Sequence, residues 1–110
     1  MYACLQHIDT AGNYGSEEFI GEALSELLSI GAIKREDIFL TTKLETDQHA
    51  REAVEPALRE SLRKLRVEWV DLYLVHWPIT DKPGPTLQPS MQVRHTAVCA
   101  FVHERGFWCV

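Results

Sequence analysis

The sequence contains no apolar run of roughly 18 residues, so a membrane-spanning helix is not expected. Met1 is not followed by the basic and apolar stretches of a secretory signal, and a cytoplasmic location is the expectation. Cysteine is scarce: Cys4, Cys99 and Cys109 are odd in number and unpatterned in spacing, which argues against a disulfide framework and fits free thiols in a reducing compartment. Basic residues are outnumbered, 11 Lys+Arg against 16 Asp+Glu for a net charge of -5, so no stripe of cations is available to grip phosphates and nucleic acid is excluded as a partner. There is no G-x-G-x-x-G and no G-x-x-x-x-G-K-[ST], so neither common phosphate loop is present. His95, Cys99 and His103 fall at helical spacing with Cys109 beyond, but without the paired short spacings of zinc modules, and no metal is expected.

What is there is the composition of a soluble globular protein, 45% hydrophobic and 25% charged over 110 residues. It is not uniform. Residues 1–80 hold 8 Lys+Arg, 14 Asp+Glu and one cysteine, whereas residues 81–110 hold 3, 2 and two cysteines. Three segments follow: an ordered part at 1–80, a loop at 81–92 opening on Asp81-Lys82-Pro83-Gly84-Pro85, and a divergent tail at 93–110 with no strong period, expected to be irregular and to pack poorly.

In the first segment short apolar runs alternate with helical patterns. Leu5 to Ile8 predicts a strand ending at Asp9, and Thr10 to Gly15, with two glycines, predicts a loop. Ser16 is placed to cap a helix whose first turn carries Glu17 and Glu18, favourable at the positive end of the helix dipole. Phe19, Ile20, Ala23, Leu24, Leu27 and Leu28 recur at helical spacing, and Gly31 stands where a glycine ends a helix. Ile38 to Thr42, closed by Lys43, predicts a second strand. A second helix should run to about Arg66 with Ala53, Ala57, Leu58, Leu62 and Leu65 buried; Pro56 suits only a first turn, which places the regular start near Val54 or Glu55. Val70 to Val75, ending at His76, predicts the third strand. Strand, helix, strand, helix, strand with connections this short implies parallel strands joined by crossovers, an α/β unit.

Three successive strands thus end in ionisable residues, Asp9, Lys43 and His76. The carboxyl ends of parallel strands share one edge, where ligands bind, so these side chains should converge, with Tyr14 within reach from the first loop. The quartet has a chemical use. A carbonyl reduced by hydride leaves an oxyanion that needs a proton, and an ordinary tyrosine is a sluggish donor at neutral pH. A lysine cation beside a phenol favours the phenolate, an aspartate holds the lysine, and a histidine can orient the carbonyl oxygen. Taken one at a time, each has a bland explanation: Asp9 capping a turn, Tyr14 and His76 packing in a core, Lys43 ending a strand in solvent. Gly12 and Gly15 serve loop conformation rather than phosphate binding. The order and spacing of the four outweigh the single readings.

His7-Ile8-Asp9-Thr10-Ala11 with Tyr14-Gly15, then Thr41-Thr42-Lys43, then Val70-Asp71-Leu72-Tyr73-Leu74-Val75-His76-Trp77-Pro78 resemble three consecutive signature segments of the aldo-keto reductases. Tyr14 lies five residues after Asp9, Lys43 thirty-four after Asp9 and His76 thirty-three after Lys43. The resemblance implies a partial (β/α)8 barrel, since a complete one takes roughly 250 residues. It implies NADPH-dependent, or less often NADH-dependent, reduction of aldehydes and ketones to alcohols. Tyr14 would be the proton donor, Lys43 and Asp9 its tuning pair, and His76 the residue that positions the carbonyl. Asp9 would also lie near the cofactor ribose, and Trp77 would wall the substrate pocket.

The resemblance runs from about Leu5 through the third strand and weakly to Gln92. Val93 to Val110 has none of the Gly-x-Ser-Asn segment by which family members hold the nicotinamide amide. The full cofactor site is therefore not expected within this chain. The expectation is an amino-terminal part, inactive alone, whose tail marks a shifted frame, a retained intron or an alternative exon. The competing expectation is a non-catalytic product that associates with other chains through open strand edges.

Overall fold

The computed structural model describes residues 7–77, Ile79 and the backbone of two short strands at 101–103 and 106–108. Strands β1 (His7–Asp9), β2 (Phe39–Leu44) and β3 (Leu72–Val75) form one sheet in the order β1-β2-β3, with helices α1 (Glu17–Ser29) and α2 (Arg51–Leu65) as the two crossovers. Both pairings are parallel, with Asp9 opposite Thr41 and Lys43 opposite Leu74. The βαβαβ order read from the periodicity is the order found. Residues before His7 and the loop at 81–92 lie outside the described residues. Within the tail, β4 (Phe101–His103) and β5 (Gly106–Trp108) pair antiparallel.

Side chains alternate along β2. Leu40, Thr42 and Leu44 turn to the helices, where Leu40 and Leu44 join Leu24 of α1, Leu58 and Leu65 of α2, Val70 and Tyr73 in the core. Thr41 and Lys43 turn to the opposite face, toward His7 and Asp9 of β1. One face of the sheet thus holds the apolar core, and the other carries these polar side chains beside Phe39, Leu72 and Leu74.

Three local details differ from the sequence expectation. Ser16 occupies the cap position of α1, but its hydroxyl pairs with Thr10 Oγ1 at 2.9 Å instead of capping the helix. Helix α2 begins at Arg51, so Pro56 sits in its second turn; the carbonyl this proline leaves unpaired belongs to Glu52, and both residues are on the exposed side, where water can satisfy it. Of the apolar residues spaced along α1, Leu24 is buried and Ile20 and Leu28 are half-buried, but Phe19, Ala23 and Leu27 are exposed. A helix packed on a sheet and one helical neighbour buries only the stripe between them, and here α2 covers one flank of α1. The end of α1 is as expected: Gly31 takes φ 69°, its N–H reaching Leu28 O at 3.2 Å and that of Ala32 reaching Leu27 O at 3.0 Å.

Two polar clusters lock the sheet. At the end away from Lys43, the Arg35 guanidinium lies 3.5 Å over the Trp69 ring and donates to Ile38 O at 2.7 Å, Trp69 O at 2.9 Å and Asp71 Oδ2 at 2.8 Å. Asp71 Oδ2 also accepts the Leu40 N–H at 2.7 Å, so one ion pair fixes the start of both β2 and β3. Arg35→Ala would leave that half-buried carboxylate without its cation, and a loss of about 2–3 kcal/mol is expected, read as a lowered urea midpoint, with Arg35→Lys losing less. On the helix side, the buried Glu17 accepts the Thr42 hydroxyl at 2.6 Å and pins the start of α1 to β2.

Candidate active site

The carboxyl ends of β1, β2 and β3 meet at one sheet edge, as parallel strands require. Lys43, the penultimate residue of β2, projects toward the first loop: Nζ donates to Asp9 Oδ1 and, at 3.0 Å, to the carbonyl of Thr10. The ion pair is asymmetric in burial, with the Lys43 side chain 13% and that of Asp9 53% exposed, so the cation is enclosed and its partner faces solvent.

Tyr14 closes a short 3-10 turn (Gly12–Tyr14), and Gly15 after it takes φ 67°, a conformation glycine adopts without strain. That turn brings the phenol ring to 5.1 Å from Lys43 Nζ and edge-on to His76 at 5.4 Å between ring centres. His76 is positioned by its backbone, whose N–H extends the β2–β3 ladder to Leu44 O at 3.0 Å, and its ring stacks on Trp77 at 6.0 Å. Tyr14 and Trp77 are both more than half exposed, so a ligand can reach them.

The five residues singled out in the sequence are therefore brought together: Asp9, Tyr14, Lys43 and His76 in one cluster with Trp77 at its rim. The other phenol nearby is different. Tyr73 is buried, and burial, then the charges of Glu17 and Glu45, push its phenol far above the usual tyrosine range, which suits it to the core and not to proton donation. Sequence reading missed Glu45, whose Oε1 accepts the Asn13 N–H at 3.0 Å and lies 3.4 Å from His76 Nδ1. Its position two residues after Lys43 was the available signal.

No helix of the described residues is long and apolar enough to cross a membrane. Among them no group of three or more His, Cys, Asp and Glu stands close enough to hold a metal; His95, Cys99 and Cys109 lie outside the described residues.

Parallel strands with intervening helices and ionisable residues at the strand ends are the architecture of a (β/α) barrel segment. The aldo/keto reductase family model matches residues 2–104, past residue 92, where the resemblance of motifs stops. The chain belongs to the aldo/keto reductase family. It is 51% identical over 78 residues to aldo-keto reductase AKR2E4 of Bombyx mori, covering 71% of this chain and 25% of that protein. The crystal structure of that silk moth enzyme in complex with NADP superposes with a TM-score of 0.68 over the same shares of the two chains. The NAD(P)H-dependent 6'-deoxychalcone synthase of Glycine max is 48% identical over 79 residues, covering 72% of this chain and 25% of the relative. The chain spans about a quarter of the length of these curated relatives.

Proposed function

We propose that this chain carries the proton-delivery part of an NADPH-dependent carbonyl reductase acting on aldehydes and ketones. The observation that supports it most is the placement of Lys43, bonded to Asp9 and beside the ring of Tyr14. Tyr14 is the proton donor: as the phenol gives up its hydrogen to the carbonyl oxygen, the negative charge left behind forms next to a cation already held in place. Asp9 keeps that cation oriented, and the Thr10 carbonyl limits its other rotamers. His76 positions the carbonyl group and Trp77 walls its approach. The half-exposed Asp9 carboxylate is an acceptor suited to a ribose hydroxyl, and this is how the residues present fit a nicotinamide nucleotide. When bound, the nucleotide supplies the hydride. NADPH is the proposed cofactor, with NADH the less frequent alternative.

The proposed division places the barrel segment at residues 1–80, a family-like loop at 81–92 and a divergent tail at 93–110, in a cytoplasmic protein. Residues for the nicotinamide amide and the adenosine phosphate are expected outside this division. The 110-residue chain alone is therefore expected to bind NADPH weakly and to show no turnover with an aromatic aldehyde, followed by NADPH absorbance and fluorescence titration. Saturable micromolar binding with Tyr14-dependent turnover by the chain alone would contradict this.

A second reading, a non-catalytic chain that associates with other chains, is favoured by two observations. Phe19 is 71% and Leu27 39% exposed on α1, with Ile30 just past its end 69% exposed, and β1 and β3 are the outer strands of the described sheet. Sedimentation should show concentration-dependent association, reduced when Phe19 and Leu27 are both replaced by lysine. A strictly monomeric chain would remove this reading.

A further inference from the structure

Glu45 follows directly on β2 and stands between the two other strand ends of the site. Its Oε1 accepts the backbone N–H of Asn13 at 3.0 Å, in the turn that carries Tyr14, and lies 3.4 Å from Nδ1 of His76. A carboxylate offers only acceptors, so the hydrogen in the second contact belongs to Nδ1. The His76 side chain is 9% and that of Glu45 18% exposed, so water competes little for the pair. The carboxylate also packs on the turn itself: a Cβ at Gly12 would stand 3.4 Å from Oε1 and 3.5 Å from Cγ of Glu45. One oxygen thereby links the turn after β1 to the residue after β3.

We propose that Glu45 is a positioning residue that fixes His76 with its hydrogen on Nδ1 and ties that ring to the Tyr14 turn. For its functional meaning this rests on the proposed roles of Tyr14 and His76; for its structural content it does not. A neutral imidazole carries one hydrogen, so Nε2 is then bare and can only accept. In that form His76 pairs with the hydroxyl of an alcohol. It donates to a carbonyl oxygen only when both nitrogens carry hydrogen, with Glu45 balancing the added charge. Glu45 would thus decide which member of the carbonyl–alcohol pair the ring recognises.

The test is the tautomer of His76 in the full chain, read from long-range 15N–1H correlations at alkaline pH, where imidazole is neutral. The unmodified chain should show hydrogen on Nδ1. Glu45→Gln keeps an acceptor oxygen and should preserve it. Glu45→Leu should move the hydrogen to Nε2 and speed exchange of the Asn13 amide roughly tenfold, the effect of losing one hydrogen bond. Hydrogen on Nε2 in the unmodified chain would overturn the proposal, as would a Glu45→Leu chain that keeps both Nδ1–H and a protected Asn13 amide. The readout is a tautomer and not turnover, so failure of the catalytic reading of Tyr14 would show separately, as activity surviving Tyr14→Phe in a barrel completed with a relative's remaining strands.

Discussion

Tyr14→Phe, made in a barrel that joins this chain to a relative's remaining strands, is expected to lower kcat for aldehyde reduction by about 10²–10⁴-fold, the contribution of a positioned proton donor. The substitution removes one oxygen from an exposed ring, so packing against His76, 5.4 Å away, and the Lys43–Asp9 pair should persist. NADPH affinity should change little, because the phenol acts on the oxyanion and not on the nucleotide. The effect should therefore appear in kcat, with KM nearly constant. Tyr73→Phe is the control for loss of a phenol elsewhere; burial and the neighbouring Glu17 and Glu45 charges make Tyr73 unfit to replace Tyr14. Activity within tenfold of the parent in Tyr14→Phe would mean that the proton comes from another group.

Gly21→Ala is expected to be the most destabilising glycine-to-alanine change among the described residues. On an exposed helix this substitution gains about 0.5–1 kcal/mol of helix propensity. Here α1 meets α2 at Gly21, and a Cβ would collide with the Lys64 carbonyl oxygen and come within 2.8 Å of the Leu65 carbonyl carbon. Both are backbone atoms that no rotamer change can move. Separating the helices would disturb Leu24, Leu58 and Leu65 in the core, so overpacking of about 3 kcal/mol or more should outweigh the propensity gain. A urea midpoint well below that of the parent, or failure to fold, is the expected result. A Gly21→Ala chain as stable as the parent would show that the two helices are held less closely than the structure places them.

The parts legible in the sequence are those with a local signature. Apolar periods mark α1, β2 and β3, Gly31 marks the end of α1, and strand ends in a parallel sheet share an edge, which brings Asp9, Lys43 and His76 together. What stayed hidden depends on partners far along the chain. Phe19 and Leu27 look like core residues by period, and only the position of α2 shows that they are exposed. The Arg35–Asp71 clamp joins residues 36 apart, and nothing near either one announces it. Pro56 misplaced the start of α2 because its cost depends on whether Glu52 faces water, a tertiary fact. Glu45 was missed because a carboxylate after a strand reads as solvated surface until Asn13 and His76 are seen to converge on it. The polar contacts that hold the site together are thus less visible than the residues proposed to act in it.

Asp9, Tyr14, Lys43 and His76 should form a working proton-delivery cluster once the rest of a barrel is supplied. The most direct measurement replaces the matching segment of the silk moth reductase with residues 7–77 of this chain and follows NADPH oxidation with an aromatic aldehyde. Turnover comparable to that of the parent reductase is expected, lost when Tyr14 is changed to Phe. A chimera that folds, binds NADPH and yet reduces no aldehyde would contradict it.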